Sequence, residues 1–437
     1  MVPDALTPAD PWQAPLAPAG VHGTVGVPGS KSMTNRALLL ALLADAPSTI
    51  RRPLAARDTV LMVGAVRGLG ADVTGGRARL EVRPPAGALR GGIGIDCGLA
   101  GTVMRFVPVV AALAAGPVVF DGDRRARDRP MAPTLASLRA LGVPVDDGGR
   151  GTLPFTVRGA GSVRGGAVAV DASSSSQFLS ALLLAAPRFG SGLDVTSVGG
   201  RLPSRHHVTM TVQMLRAHGV RVDADPDAGR WRVHPGPVGG GDTAVEPDLS
   251  TAAPFLAAPA AAGGEVTVLD WPLDTDQPGR VLLDVLRDMG AEVVATSAGV
   301  TVRGTGVLHG VDVDLGDASE LVPVVAALAA LADSPSRIRG VAHVRGHESD
   351  RLAALAGQLG ALGGDVRETE DGLEIGPAVL RAEPGFVFET FADHRIAHAA
   401  AVLGLVVPGL RVADIATTAK TFPEFPAVFG ALVGAGG

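Results

Sequence analysis

The chain has no tyrosine, a single cysteine and only two lysines among its 437 residues. Aromatic residues make up 3%, too few for the ring platforms on which proteins stack single-stranded bases. A net charge of −6 argues against a nucleic-acid partner or an anionic membrane surface. The lone thiol, Cys97, excludes an intrachain disulfide framework and a thiolate zinc cage. No apolar run reaches the roughly 20 residues needed to cross a bilayer; the longest, such as residues 321–332, read as buried helices. Residues 1–20 hold five prolines and neither Lys nor Arg, unlike the basic start of a signal peptide, and read as an irregular lead-in. The expectation is a cytoplasmic chain with no membrane or nucleic-acid partner.

What is present supports a large core: 46% hydrophobic and 19% charged residues. The length suggests two or three domains. Cations are almost all arginine, 36 against two lysines, Lys31 and Lys420. In such a chain the surviving lysines mark places where a compact ammonium does what a planar guanidinium cannot.

A pattern recurs six times at intervals of roughly 70 residues. A short polar segment opens a helix rich in Ala, Leu and Val, then a Gly or Pro turn leads to a β-like run. The starts lie near Ser32, Ala100, Ser175, Ser250, Glu320 and Asp393. Between them lie amphipathic helices closed by Gly70, Gly142, Gly219, Gly290 and Gly363, each followed by a strand. The last helix, before the C-terminus, lacks its strand. Helices apolar nearly all round must be buried, and their free N–H groups and dipoles favour anions at their starts. Two lobes of three repeats suit the usual domain size better than one ring of six.

The polar starts carry the chemistry. Val27–Arg36 reads VPGSKSMTNR. It is not a Walker A loop, because Ser30 stands where Gly must precede the lysine. What remains is an ammonium, a hydroxyl and a guanidinium (Lys31, Ser32, Arg36), or else a plain cap by Ser30 or Ser32. The second start, Asp96–Arg105, has Gly98 and Gly101 for close backbone approach. A charge run, DRRARDRP, follows and ends on Arg129. The third start has four serines before Gln177. The fifth has Asp317 and Glu320, then GHESDR, where Glu348 and Arg351 are spaced as a helical ion pair. His343, His347, His394 and His398 lie near acids, but no spacing demands a metal.

Read in order, GSKSMTNRALLLALL, LAGTVMR, RDRP, SSSQFLSALLLAAP, a helix-initial acid, GHESDRL, FADHRIAH and AKTFPEF resemble the motif series of the 5-enolpyruvylshikimate-3-phosphate synthase family of enolpyruvyl transferases. The resemblance runs from Gly29 to Phe425. It implies an α/β fold of six β-α-β-α-β-β repeats in two lobes of three, an inside-out α/β barrel that closes on its substrates. The crossings would fall near residues 27–31 and 245–247, giving an N-terminal lobe of 30–246 and a C-terminal lobe of 1–29 plus 247–437. The implied reaction moves the enolpyruvyl group of phosphoenolpyruvate to the 5-hydroxyl of shikimate 3-phosphate and releases phosphate. No metal or organic cofactor is implied, and the chain would act as a monomer on these small molecules.

By the same resemblance Lys31, Ser32 and Arg36 would bind shikimate 3-phosphate, Lys31 also touching phosphoenolpyruvate. Ser175, Ser176, Gln177 and Ser204 would hold the acceptor. Gly101, Arg129, Gln177, Arg351, Arg395 and Lys420 would hold phosphoenolpyruvate. Glu320 would take the hydroxyl proton, and Glu348 would deliver one to carbon 3, with Lys31 as its rival. The sequence departs from the family at several points. Glu320 stands where Asp is common (Asp317 is the other candidate), His347 where Lys is, and His343 where Asn is. Leu99 replaces a common Asn, and Phe106 a frequent Pro. Two other readings remain: the sister transferase acting on a UDP-sugar, which uses a loop cysteine, and a non-catalytic anion-binding scaffold.

Overall fold

A computed structural model describes residues 10–434. The chain forms two compact units. The central unit comprises Pro28–Asp248 with Asp276–Pro278; the terminal unit comprises the chain up to Val27, Leu249–Thr275 and the chain from Gly279. Each has its own hydrophobic core.

Three apolar helices sit inside each unit. Lys31–Leu43, Gly101–Ala111 and Gln177–Ala185 pack on one another in the central unit. Leu249–Ala262, Val322–Ala329 and His394–Gly404 do the same in the terminal unit. A helix such as ALLLALL has no polar face to leave in water, so neighbours must cover it on all sides. Among the described residues no helix is long and apolar enough to cross a membrane.

The sheets lie over these helices, one per repeat. The third repeat shows the plan. Strand Gly166–Asp171 pairs parallel with Leu193–Val198 across the buried helix. Leu193–Val198 pairs antiparallel with Arg230–Val233, which pairs antiparallel with Val222–Asp225. The parallel pair needs the helical crossover and the last two strands need only a tight turn, which yields β-α-β-α-β-β. All six sheets are open and separate. Helices lie inside and independent sheets outside, the inside-out arrangement that the resemblance implies. The closing glycines adopt φ between 77° and 113°, as helix C-termini in left-handed turns require.

Two strands are exchanged. Val21–Val25 leads into the first buried helix, yet pairs with Gly264–Leu269 of the fourth repeat. Gly241–Ala244 leads toward the fourth buried helix, yet pairs with Ser48–Arg51 of the first. Where the chain enters and leaves the central unit its backbone is tied together. Ser30 N–H donates to the Glu246 carbonyl (2.7 Å), and Asp248 N–H to that of Pro28 (2.8 Å). Gly29 is required there, because a Cβ would lie 2.2 Å from the Arg52 carbonyl oxygen.

The lead-in differs from expectation. Residues 1–9 lie outside the described residues, but Trp12–Gln13 is a strand, antiparallel to Arg411–Val412. It joins the sixth sheet beside Arg411–Val412 and Val387–Phe388. Among the described residues no hairpin after the last helix pairs with Arg411–Val412, and Trp12–Gln13 takes that edge.

Candidate active site

In the central unit the first turns of the three buried helices are wired together. Ser30 caps the first helix, its Oγ accepting from Met33 N–H (3.4 Å). Asn35 Nδ2 donates to Thr102 Oγ1 on the second helix (2.6 Å). Lys31 N–H donates to Asp248 Oδ2 (3.1 Å), and its ammonium lies 3.5 Å from Asp58 Oδ2. Asp58 is 2% exposed while Lys31 retains 19%, so the lysine is half-open with a buried counter-charge.

Arg36 is placed deeper than a surface cation. Its Nε donates to Thr211 Oγ1 (2.7 Å), Nη1 to the Ser32 carbonyl (3.0 Å) and Nη2 to the His207 carbonyl (3.1 Å) and Ser180 Oγ (3.4 Å). Its guanidinium lies 5.0 Å from the centroid of the Phe106 ring, which gives this departure from the family a role as a cation–π partner. Burial lowers Arg36 to about 9, which still leaves it charged at neutral pH.

Gly101, Arg129 and Gln177 meet. A Cβ on Gly101 would lie 3.1 Å from Arg129 Nη2, 3.2 Å from its Nη1 and 3.3 Å from Gln177 Oε1. Arg129 Nη1 also donates to the Leu99 carbonyl (3.3 Å). The sequence reading assigned no role to Arg105, which links these groups. Its Nη1 donates to Ser175 Oγ (2.9 Å) and Gln177 Oε1 (3.1 Å), and it stacks over Phe178. Burial, with repulsion from Arg129, holds it well below the usual arginine range. Two neighbouring guanidiniums, one of them buried, suit a polyanion. The signal was present: an arginine inside GTVMRFVPVVA must find polar partners once that helix is buried. Ser176 is the residue before the third helix, and Ser204 precedes Arg205–Ala217 with φ 48°, a left-handed conformation costly for serine.

In the terminal unit the expected Glu348–Arg351 helical pair does not form. The helix Arg351–Ala361 begins only at Arg351, capped by Asp350. Arg351 instead grips Asp393 with two bonds, Nε to Oδ2 (2.8 Å) and Nη2 to Oδ1 (3.1 Å). Asp393 also accepts from Ser349 Oγ (3.1 Å) and Arg395 N–H (2.9 Å). Burial alone would lower Arg351, but Asp393, then Glu348 and Glu320, hold it above its usual value. Burial alone would raise Asp393, and Arg351 holds it below the usual carboxylate range.

Glu348 has both carboxylate oxygens engaged. Oε1 lies 2.8 Å from Lys420 Nζ and Oε2 2.9 Å from His394 Nδ1. Arg395 donates to the Ser250 carbonyl and to Ser250 Oγ (2.7 Å) at the start of the fourth buried helix. His347 Nδ1 lies 3.4 Å from Arg351 Nη1, with the His343 ring edge-on at 5.6 Å. Glu320 lies in the turn Ser319–Leu321, directly before the fifth buried helix. Among the described residues Glu348, Asp393 and His394 could offer a metal three ligand atoms. Lys420 and Arg351 already occupy those carboxylates, so the cluster suits protein cations.

A sequence model of the family EPSP synthase (3-phosphoshikimate 1-carboxyvinyltransferase) matches residues 16–429. The chain belongs to this family. The 3-phosphoshikimate 1-carboxyvinyltransferase of Kocuria rhizophila is 55% identical over 441 residues, covering 98% of each chain. Two solved structures of EPSP synthase from Acinetobacter baumannii share the fold, with TM-scores of 0.77 and 0.74 at 24% and 23% identity. They cover 97% and 95% of this chain, and it covers 98% and 97% of theirs. As an EPSP synthase the chain is a 1-carboxyvinyltransferase of the shikimate pathway. The UDP-sugar enzyme and the scaffold fall away as alternatives.

Cys97 agrees with that. It is buried before the second helix, and burial, with Asp96 and Asp121 adding, pushes its thiol well above the usual range. A thiol held neutral is a poor nucleophile. Cys97→Ala is expected to keep kcat within about twofold, and thiol-directed epoxides are expected not to inactivate the enzyme at neutral pH. Rapid, stoichiometric inactivation would contradict this.

Proposed function

We propose that this chain transfers the carboxyvinyl group of phosphoenolpyruvate to the 5-hydroxyl of shikimate 3-phosphate with the following division of labour. In the central unit Lys31, Ser32, Ser175, Ser176, Gln177 and Ser204 take the acceptor, and Gly101, Arg129 and Gln177 take phosphoenolpyruvate. Arg36 takes the acceptor with Lys31 and Ser32 and also pins the first helical turn through the Ser32 carbonyl. In the terminal unit Arg351, Arg395 and Lys420 neutralise phosphoenolpyruvate, and His347 faces the acceptor. A monomer in the cytoplasm, with small molecules as its only partners and no cofactor, belongs to the same reading.

The chemistry has two halves. In addition, carbon 3 gains a proton, the acceptor oxygen bonds to carbon 2, and the hydroxyl proton passes to Glu320. In elimination, a methyl proton leaves carbon 3 and the bond from carbon 2 to the phosphate oxygen breaks, releasing phosphate. Glu348 serves carbon 3 in both directions. The observation that carries this reading is Glu348 held between Lys420 and His394. A carboxylate flanked by two proton carriers can be reloaded after each transfer. Cations around the phosphate stabilise the charge it develops on leaving.

Phosphate release tests the reading. It is expected with both substrates together, and not with a UDP-sugar as acceptor. Release with the UDP-sugar alone would overturn the acceptor assignment. Gly101→Ala tests the phosphoenolpyruvate side. Its methyl would crowd Arg129 and Gln177 at 3.1–3.3 Å, so KM for phosphoenolpyruvate is expected to rise about tenfold, ~1.4 kcal/mol. KM for the acceptor is expected to change little; an unchanged KM for phosphoenolpyruvate would remove Gly101 from its site.

A further inference from the structure

His398 is used by none of these steps. It lies one turn beyond His394 on the sixth buried helix, with 0% exposure. Neither ring nitrogen has a hydrogen-bond partner among the described residues. An imidazole always carries at least one N–H, so burial without a partner opposes folding, whereas an apolar side chain of the same size would not.

What the ring does meet is aromatic. Phe425 lies 4.5 Å away between centroids, and His394 is edge-on at 5.9 Å. Phe425 meets Phe429 at 5.2 Å, Phe255 at 5.5 Å and Phe422 at 6.4 Å. Phe422 comes two residues after Lys420. The stretch that presents Lys420 to Glu348 is therefore anchored by rings, and His398 is the sixth helix's member of that cluster.

We propose that His398 is a positioning residue for Lys420, its neutral ring holding the 420–425 segment against the sixth buried helix. This rests on the assignment of Lys420 to phosphoenolpyruvate. The charges around it come from several elements. On its own helix are His394 and Arg395, preceded by Asp393; Arg351 opens the neighbouring helix, preceded by Glu348. Glu320 precedes Val322–Ala329, and Lys420 and Glu424 bracket the aromatic segment. The helices Leu249–Ala262, Val322–Ala329 and Phe425–Gly434 carry no ionisable side chain. Burial first, then Arg395, His394 and Arg351, holds the imidazole well below its usual value.

The sign follows. Unfolded histidine takes up a proton near about pH 6.5 and the folded one does not. Above that pH His398 adds no pH dependence to stability. Below it, each unit shifts the unfolding equilibrium by up to about tenfold against the fold.

Kinetics and thermal melts between about pH 5 and 8, where histidine charge changes, on wild type, His398→Ala, His398→Met and Lys420→Met test this. His398→Ala is expected to raise KM for phosphoenolpyruvate about tenfold, with kcat changed less than about threefold. His398→Met has a similar volume and a thioether that packs on rings. It is expected to restore KM and to flatten the acid fall of Tm. The proposal is overturned if His398→Ala lowers Tm but leaves KM alone, or if His398→Met keeps the wild-type acid slope. Lys420→Met separates the two readings: an unchanged KM for phosphoenolpyruvate would instead overturn the Lys420 assignment beneath.

Discussion

Lys31→Arg is expected to lower kcat/KM by about a hundredfold or more while the fold and net charge stay the same. Lys31 is the first residue of the first buried helix, its N–H held by Asp248 and its ammonium beside Asp58. Asp58 is 2% exposed, so it offers an ammonium one point of charge and not the open face a guanidinium fork grips. Arginine is longer, planar and permanently protonated, so it neither fits this distance nor moves a proton. In a chain with 36 arginines, a lysine at this place is informative in itself. Steady-state kinetics with each substrate varied, alongside circular dichroism, give the answer. Turnover within about threefold of wild type would dismiss a special role for the ammonium.

Glu348→Gln is expected to lower kcat by about a hundredfold, with smaller effects on either KM. The amide keeps the size and one acceptor oxygen but cannot carry the proton. It also takes the Glu348 charge away from Lys420, 6% exposed, so stability is expected to drop by up to roughly 3–5 kcal/mol. Exchange of solvent hydrogen into the methylene of phosphoenolpyruvate separates the two effects. Loss of exchange at a temperature where the variant is fully folded assigns the proton transfer to Glu348. Full exchange with normal turnover would leave Glu348 as only a partner for Lys420.

Much of the architecture was legible because burial leaves a direct mark on composition. Six stretches without a polar face had to be inner helices, and five closing glycines had to end amphipathic ones. The two-residue strand Trp12–Gln13 was not legible. It lies among prolines and has too few residues for a period, and the edge of Arg411–Val412 decides its pairing. The family resemblance put the crossings near residues 27–31 and 245–247, but residue pattern alone did not name the partner strands of Val21–Val25 and Gly241–Ala244. VHGTV reads as a strand wherever it pairs, and its neighbour is chosen by which sheet lacks one.

The candidate site divides in the same way. Amino-acid order alone determined which residue types stand at the helix starts, that two lysines survive among arginines, and that the motifs occur in family order. Only the tertiary structure decided the pairings. Arg351 lies three residues from Glu348 but bonds to Asp393, 42 residues away. Arg105 reaches Ser175 across 70 residues. Arg36 turned inward to four protein oxygens. The physical reason is the energetic asymmetry of burial. A local ion pair in water contributes little and yields readily, whereas a buried charge without a partner costs several kcal/mol, so each buried charge is placed by whatever counter-group the fold brings to it.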